Sequence, residues 1–287
     1  VVSQVGIVID RNLASRVGEQ AIAWMANGTR LREFPLGLVS TAVSMAVLPA
    51  LSRLDLRSSA DEFKRTVGLG LRLVLVLIVP ATVGLFVLGK PIIELLFEHG
   101  QYTSSDTLQA SRALYGYLLG TPFAAVDLLL VFAFYSQKDT VTPVVVGIIC
   151  VFIYLLVAPS LAFLLGLGMM GLVIANSVQL TSHTLIMLVL LRRRVGTLER
   201  EQLVSASVKI GLASAVMGLC VYLSLLLLRG ALPWAGAVAR AIWIAGAGIV
   251  GVLSYGLATM WLGVGEARML LEMLRRRARR AQDAPGI

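Results

Sequence analysis

The sequence predicts an all-α, polytopic integral membrane protein, a bundle of about eight transmembrane helices. Three observations carry that prediction. The chain is 57% hydrophobic and only 14% charged, with a mean hydropathy of +0.85, whereas a soluble domain carries about 25% charged residues. Its apolar residues run in stretches long enough to cross a bilayer. Its Lys and Arg residues gather between those stretches, and they favour alternate connections. A chain of 287 residues this apolar cannot hide its surface around one water-soluble core, so the bilayer is its natural solvent.

A span takes about 20 mostly apolar residues. Residues 1–27 are interrupted by Asp10, Arg11, Asn12, Arg16, Glu19 and Gln20; such a helix crosses only with its polar side toward a water-filled cavity or other protein. Seven further stretches qualify by hydropathy: 34–52, 67–89, 113–135, 141–166, 169–191, 203–228 and 238–263. Between the second and third, residues 90–107 carry Glu94, Glu98, His99 and Asp106. The bulky apolar run Ile92, Ile93, Leu95, Leu96 and Phe97 there predicts a short interfacial helix. Residues 264–281 predict an amphipathic helix with Met269, Leu270, Met273 and Leu274 toward lipid and arginines toward headgroups. The chain divides into 1–54, two spans with a polar cavity face; 55–195, four more spans; 196–263, the last two spans; and 264–287, a basic tail.

The net charge is +9. Arg53, Arg57, Lys64 and Arg65, then Lys138, then Arg192, Arg193, Arg194 and Arg200, then Arg268, Arg275, Arg276, Arg277, Arg279 and Arg280 all fall on one side. The opposite connections hold only Lys90, Arg229 and Arg240. The positive-inside rule makes the richer side, with both chain ends, cytoplasmic. Anionic headgroups, not nucleic acid, are the partners this basicity implies. Cys150 and Cys220 lie inside apolar stretches and form no disulfide or zinc pattern. The chain begins with Val1 and has no signal peptide, so the N-terminal part of a longer protein is expected to be missing.

Three separated motifs carry a family resemblance. TRLREFPLG at 29–37, continuing to LPALS at 48–52, is similar to the R-L-x-E-F-P-x-G … L-P-x-L-S segment of MurJ/MviN-type lipid II flippases. LFEHGQYTSSD at 96–106 resembles their L-F-x-x-G-x-F-T-x-x-D, and FYSQKDTVTPV at 134–144 their A-F-Y-x-x-x-D-T-x-T-P. Order and spacing fit over residues 1–195; the last two spans carry no motif of the family. The resemblance implies spans seven to fourteen of a fourteen-span transporter, in the superfamily of multidrug extruders and polysaccharide-lipid flippases. Its function would be to flip lipid II, a polyprenyl-diphosphate lipid, outward by alternating access. The missing N-terminal bundle would be its partner. Another lipid-linked saccharide flippase, a drug exporter or a non-transporting scaffold are the alternatives. No G-x-S-x-G, H-E-x-x-H, Walker loop or Cys/His pair is present, so a transporter and not an enzyme is expected. No cofactor is expected; a coupling cation, sodium or proton, or the membrane potential would drive uphill movement.

A diphosphate moving through a bilayer calls for fixed cations, and the planar guanidinium binds phosphate bidentately. Arg30 matches the family's cavity arginine and is the first substrate-binding candidate; a snorkelling interfacial arginine is the competing reading. Glu33, three residues on, either orients Arg30 or pairs with Arg30 or Arg32. Arg32 stands where the motif varies and is placed at the interface. Arg11 joins the candidates with the polar first span. Asn176, Gln179 and His183 share one helical face, where they either line the cavity or bond between helices; His183 lacks the companions of a metal ligand. Two carboxylates are ion-coupling candidates. Asp10 matches an acidic residue that helps bind sodium in some family members, but the stretch 153–159 lacks the expected carboxylate or Asn; a local ion pair is the plainer reading. Asp127 lies between Val126 and Leu128 in an apolar span, where a carboxylate either pairs with a neighbouring helix or titrates. Gly211, Ser214, Ala215, Gly218, Ala247 and Gly251 permit close helix packing; the resemblance implies instead that they shape a groove for a polyprenyl tail.

Overall fold

The computed structural model describes residues 2–54, 59–196, 200–231 and 236–265. They form α1 (Val2–Val17), α2 (Ala21–Ala46), the single turn α3 (Leu48–Leu51), α4 (Ala60–Phe97), α5 (Ser104–Ser136), α6 (Val141–Pro159), α7 (Met169–Val195), α8 (Arg200–Ala231) and α9 (Ala237–Trp261). A π-helical turn, Ser160–Leu164, extends α6. The described residues are thus an all-α bundle, and seven helices are long and apolar enough to cross a membrane: Ala21–Leu51, Ala60–Phe97, Ser104–Ser136, Val141–Leu164, Met169–Val195, Gln202–Ala231 and Ala237–Trp261. The 16-residue α1 is outside that set. It lies against α2, α6 and α7, with Ala14 buried and Leu13 and Val17 beside it.

Two expectations are corrected. The first strongly apolar span begins at Ala21, not near residue 34. Arg30, Arg32 and Glu33 lower local hydropathy without breaking the helix, and α2 continues through Pro35. The run 92–97 is not a separate interfacial helix; it is the last part of α4, which continues through Pro80 and Pro91 for 38 residues. Ile93 is fully buried there against Leu114 and Leu118 of α5. The predicted helix at 264–281, and Arg57, Arg268 and the five tail arginines, lie outside the described residues.

Two of the sequence motifs are explained by helix starts. Thr103 and Asp106 form a capping box at the head of α5: the Thr103 amide and hydroxyl donate to Asp106 Oδ2 at 2.8 and 2.7 Å, and the Asp106 amide reaches Thr103 Oγ1 at 3.4 Å. Trp24 Nε1 donates to Asp106 Oδ1 at 2.9 Å, which fastens α2 to the same end of α5. At the opposite end of the bundle, Asp139 accepts from the Thr142 amide and hydroxyl at 2.9 and 2.7 Å and meets Arg194 Nη1 of α7 at 2.6 Å. Gln137 Nε2 donates to the Leu54 carbonyl nearby at 3.0 Å. Burial alone would raise the Asp139 pKa, but the Thr142 hydroxyl, the Thr142 amide and Arg194 outweigh it and hold the carboxyl below the usual carboxylate range.

The core centres on α5. Half of its apolar window is buried, against 11% for α9 at the periphery. Val39, Val43, Leu51, Phe63, Leu71, Val74, Ile78, Leu129, Leu130, Phe134, Met187 and Leu191 pack α2, α3, α4, α5 and α7 together. Close approach needs residues without side chains. A Cβ on Gly120 of α5 would lie 2.8 Å from Ser177 Cα of α7, and the Ser177 hydroxyl donates to the Gly116 carbonyl at 2.7 Å.

The α8–α9 hairpin docks on α4. Met217, Val221, Leu225 and Ala247 pack on Leu88, and Ile210 and Val264 on Val76. Arg240 of α9 meets Glu94 of α4 at 3.2 Å and Glu98, just past the end of α4, at 3.8 Å. Tyr255 of α9 donates to the Val76 carbonyl at 2.8 Å; Pro80, four residues on, has no N–H to offer that carbonyl. Of the small residues, Gly218 faces Val83 and Gly251 faces Val221 at packing distance, while nothing lies near Gly211.

Candidate functional site

α2 has two unlike faces. Ala21, Met25, Gly28, Pro35, Val39 and Val43 recur at three- and four-residue steps and are buried. Arg32 falls within that series. Arg30, two residues or about 200° of helical turn away, shares the exposed face with Phe34, Leu38 and Met45. Arg30 and Glu33 are both exposed and form no ion pair or hydrogen bond among the described residues.

Arg32 is not interfacial, as the sequence had suggested; its helical phase carries it into the bundle, where it is half-buried. Its Nη1 donates to Asn176 Oδ1 of α7 at 3.1 Å. Its guanidinium carbon stands 4.9 Å from the centre of the Tyr117 ring of α5, a cation–π contact. Arg32 Nε has no hydrogen-bond partner among the described residues. Close by, the Tyr154 hydroxyl of α6 donates to the Asp10 carboxylate of α1. Asp10 and Arg32 attract one another electrostatically without direct ion pairing. Asp10, Arg32, Tyr117, Tyr154 and Asn176 thus come together from five helices.

Other predicted residues lie apart. Arg11 and Arg16 are exposed on α1 without ion pairs among the described residues. The α7 face divides: Asn176 turns to Arg32, Gln179 is half-buried without a hydrogen bond among the described residues, and His183 turns to Asp127 of α5. His183 Nδ1 lies 2.7 Å from Asp127 Oδ1, and Nε2 lies 3.4 Å from the Pro143 carbonyl of α6. Among the described residues no three His, Cys, Asp or Glu side chains converge on a metal-sized space. A cavity of about 410 Å³ opens elsewhere, between α4, α8 and the end of α9, and is lined by Arg72, Gln202, Ser205 and Lys209.

Sequence reasoning misplaced Arg32 and missed Tyr117 and Tyr154. Two signals were present. Arg32 is seven residues from both Met25 and Val39, on the apolar side of α2. A tyrosine deep in an apolar span needs a partner for its hydroxyl, which points Tyr154 toward a polar group.

Residues 1–235 match the protein-family model described as Lipid II flippase MurJ. A probable lipid II flippase MurJ of Vibrio cholerae is 35% identical over 92% of this chain and 50% of its own length. The lipid II flippase MurJ of Burkholderia cenocepacia is 29% identical over 67% of this chain and 37% of its own length. The chain therefore spans half or less of these curated relatives. Among solved structures, an inward closed conformation of lipid II flippase MurJ superposes with a TM-score of 0.74 at 26% identity, covering 91% of this chain and 51% of that one. An outward-facing multidrug resistance MATE family transporter of the MOP superfamily superposes at 0.59 with 17% identity, covering 96% and 63%; this likeness concerns the fold alone. The family model spans the three motifs, the polar α1 and most of the bundle, so the chain belongs to the MurJ lipid II flippase family.

Proposed function

We propose that this chain is the C-terminal half of a flippase that moves lipid II from the cytoplasmic to the outer leaflet of the bacterial cytoplasmic membrane by alternating access, for cell-wall synthesis. The end of the bundle with Arg53, Lys64, Arg65, Lys138 and Arg192–Arg194 faces the cytoplasm. The exposed face of α2 lines a cavity completed by a preceding bundle of the same protein, and Arg30 there receives the diphosphate. The observation that carries this reading is the contrast between motifs. Two of them are spent on helix starts and helix ties, through Asp106 and Asp139. The Arg30–Glu33 motif leaves both charged residues exposed on an apolar span, Glu33 attracted only at a distance to Arg32 and Arg30 without a partner among the described residues. An intramembrane charge with nothing to bind marks a substrate or ion pathway.

The test is a lipid II externalisation assay in bacteria depleted of their own flippase. The cells express the full-length parent, intact or with Arg30→Ala at equal membrane abundance. Restoration by the intact protein alone supports both the activity and the role of Arg30. Restoration by both returns Arg30 to an interfacial role. Restoration by neither, with normal insertion, moves another lipid-linked cargo or a scaffold to the front.

A further inference from the structure

Asp127 and His183 sit within apolar spans on α5 and α7, and their side chains are only 18% and 14% exposed. Both imidazole nitrogens face oxygen, Nδ1 toward the Asp127 carboxyl at 2.7 Å and Nε2 toward the Pro143 carbonyl at 3.4 Å. A neutral imidazole has one N–H and can donate to only one of them; the doubly protonated ring donates to both. From α6 the Cys150 thiol also feels the Asp127 charge. From α4, the packing on α5 around Leu129 is apolar. No Lys, Arg or second carboxylate ion-pairs with either group among the described residues.

Charge balance then sets the occupancy. With one proton shared between them, the pair has no net charge, whichever group holds it. Removing that proton leaves a bare carboxylate among apolar helices, and adding another leaves an unpaired imidazolium; both are unfavourable there. Gly120 with Ser177, and the Thr184 hydroxyl on the Phe123 carbonyl at 2.8 Å, hold α5 to α7 beside the pair, so Asp127 and His183 move together and a change of conformation alters their access to water rather than their separation. We infer that the Asp127–His183 pair is a proton-binding site, which takes one proton from water on one side of the membrane and gives it up on the other as the bundle alternates its access. What the proton drives rests on the flipping activity proposed above; the site itself does not.

The test reconstitutes the full-length protein in vesicles with fluorescent lipid II, an imposed pH gradient and the membrane potential clamped at zero. One proton per lipid sustains about tenfold leaflet asymmetry for each unit of gradient. That ratio is an equilibrium quantity and does not depend on how fast a variant flips. Wild type is expected to build it, and Asp127→Asn with His183→Gln, which keeps an interhelical hydrogen bond but no titratable group, is expected not to. Asymmetry that persists in the double variant, or is absent from a flipping wild type, overturns the inference.

Infrared difference spectra between roughly pH 5 and pH 8 give a readout that needs no lipid II. A carboxyl band and an imidazole band that change together in wild type and vanish in Asp127→Asn support the site; identical spectra overturn it. If the wild type flips no lipid II, the flipping activity fails and these spectra alone decide. If the double variant does not insert, the spectra of wild type against Asp127→Asn decide.

Discussion

At the scale of single residues, α2 separates two arginines that a motif reading treats as neighbours. Arg32 supplies an interhelical hydrogen bond to Asn176 and stands over Tyr117; Arg30 supplies neither. Interhelical hydrogen bonds in membranes are worth on the order of 0.6–2 kcal/mol, so Arg32→Met is expected to destabilise the bundle by about 1 kcal/mol. Arg30→Met should leave stability unchanged; thermal unfolding in detergent separates the two. Asp139 gives a pH signature. Its folded pKa lies below the ordinary value, so its contribution is fully present above the ordinary carboxylate value near about pH 4. That contribution is lost as pH falls through the lowered folded value. Wild type should lose stability on acidification in that window, and Asp139→Asn, already lacking the contribution, should lose less. Parallel acid curves for the two proteins would contradict the assignment.

Helices rest on a different kind of evidence. The apolar runs located the spans, because a bilayer rewards length and apolarity regardless of what each helix touches. What they did not disclose was continuity. Arg30, Arg32 and Glu33 pulled the apparent start of α2 inward, and the charged residues among 90–107, Glu94 and Glu98 with them, suggested a loop with its own short helix where α4 continues. Hydropathy registers charge, while helix continuation depends on backbone hydrogen bonds, which a charged side chain leaves intact. The contact between α5 and α7 was equally hidden, since Gly120 and Ser177 are far apart in sequence and nothing local marks them. Gly120→Val should place branched carbon against the Ser177 backbone. Overpacking of this kind costs about 1–3 kcal/mol, so a lower melting temperature or reduced membrane accumulation is expected. Gly211→Val, where nothing lies within contact, is the control and should be tolerated.

For the whole molecule, the two ends of the bundle are chemically unlike. One end ties α5, α6 and α7 through Asp139 and Arg194 and holds Lys64, Arg65 and Lys138; the other ties α2, α4, α5 and α9 through Trp24, Asp106, Glu94, Glu98 and Arg240. With Cys150 and Cys220 replaced by Ser, a membrane-impermeant thiol reagent should label Gln101→Cys in intact cells and spare Lys138→Cys. The reverse pattern would invert the orientation drawn from charge. That asymmetry was legible in the sequence because Lys and Arg counts need no partner information. The polar cluster of Asp10, Arg32, Tyr117, Tyr154 and Asn176 was not, because its members come from five helices and only the assembled bundle makes them neighbours.

The Tyr255 hydroxyl on the Val76 carbonyl bears on how the last two helices stay attached. Lipid tails can replace every apolar contact between α9 and α4 at little cost, because they are as oily as the side chains they displace. They cannot replace a hydrogen-bond donor. A carbonyl left bare by Pro80 finds no substitute in hydrocarbon, so the hairpin is retained by a polar selectivity that the solvent around it cannot imitate.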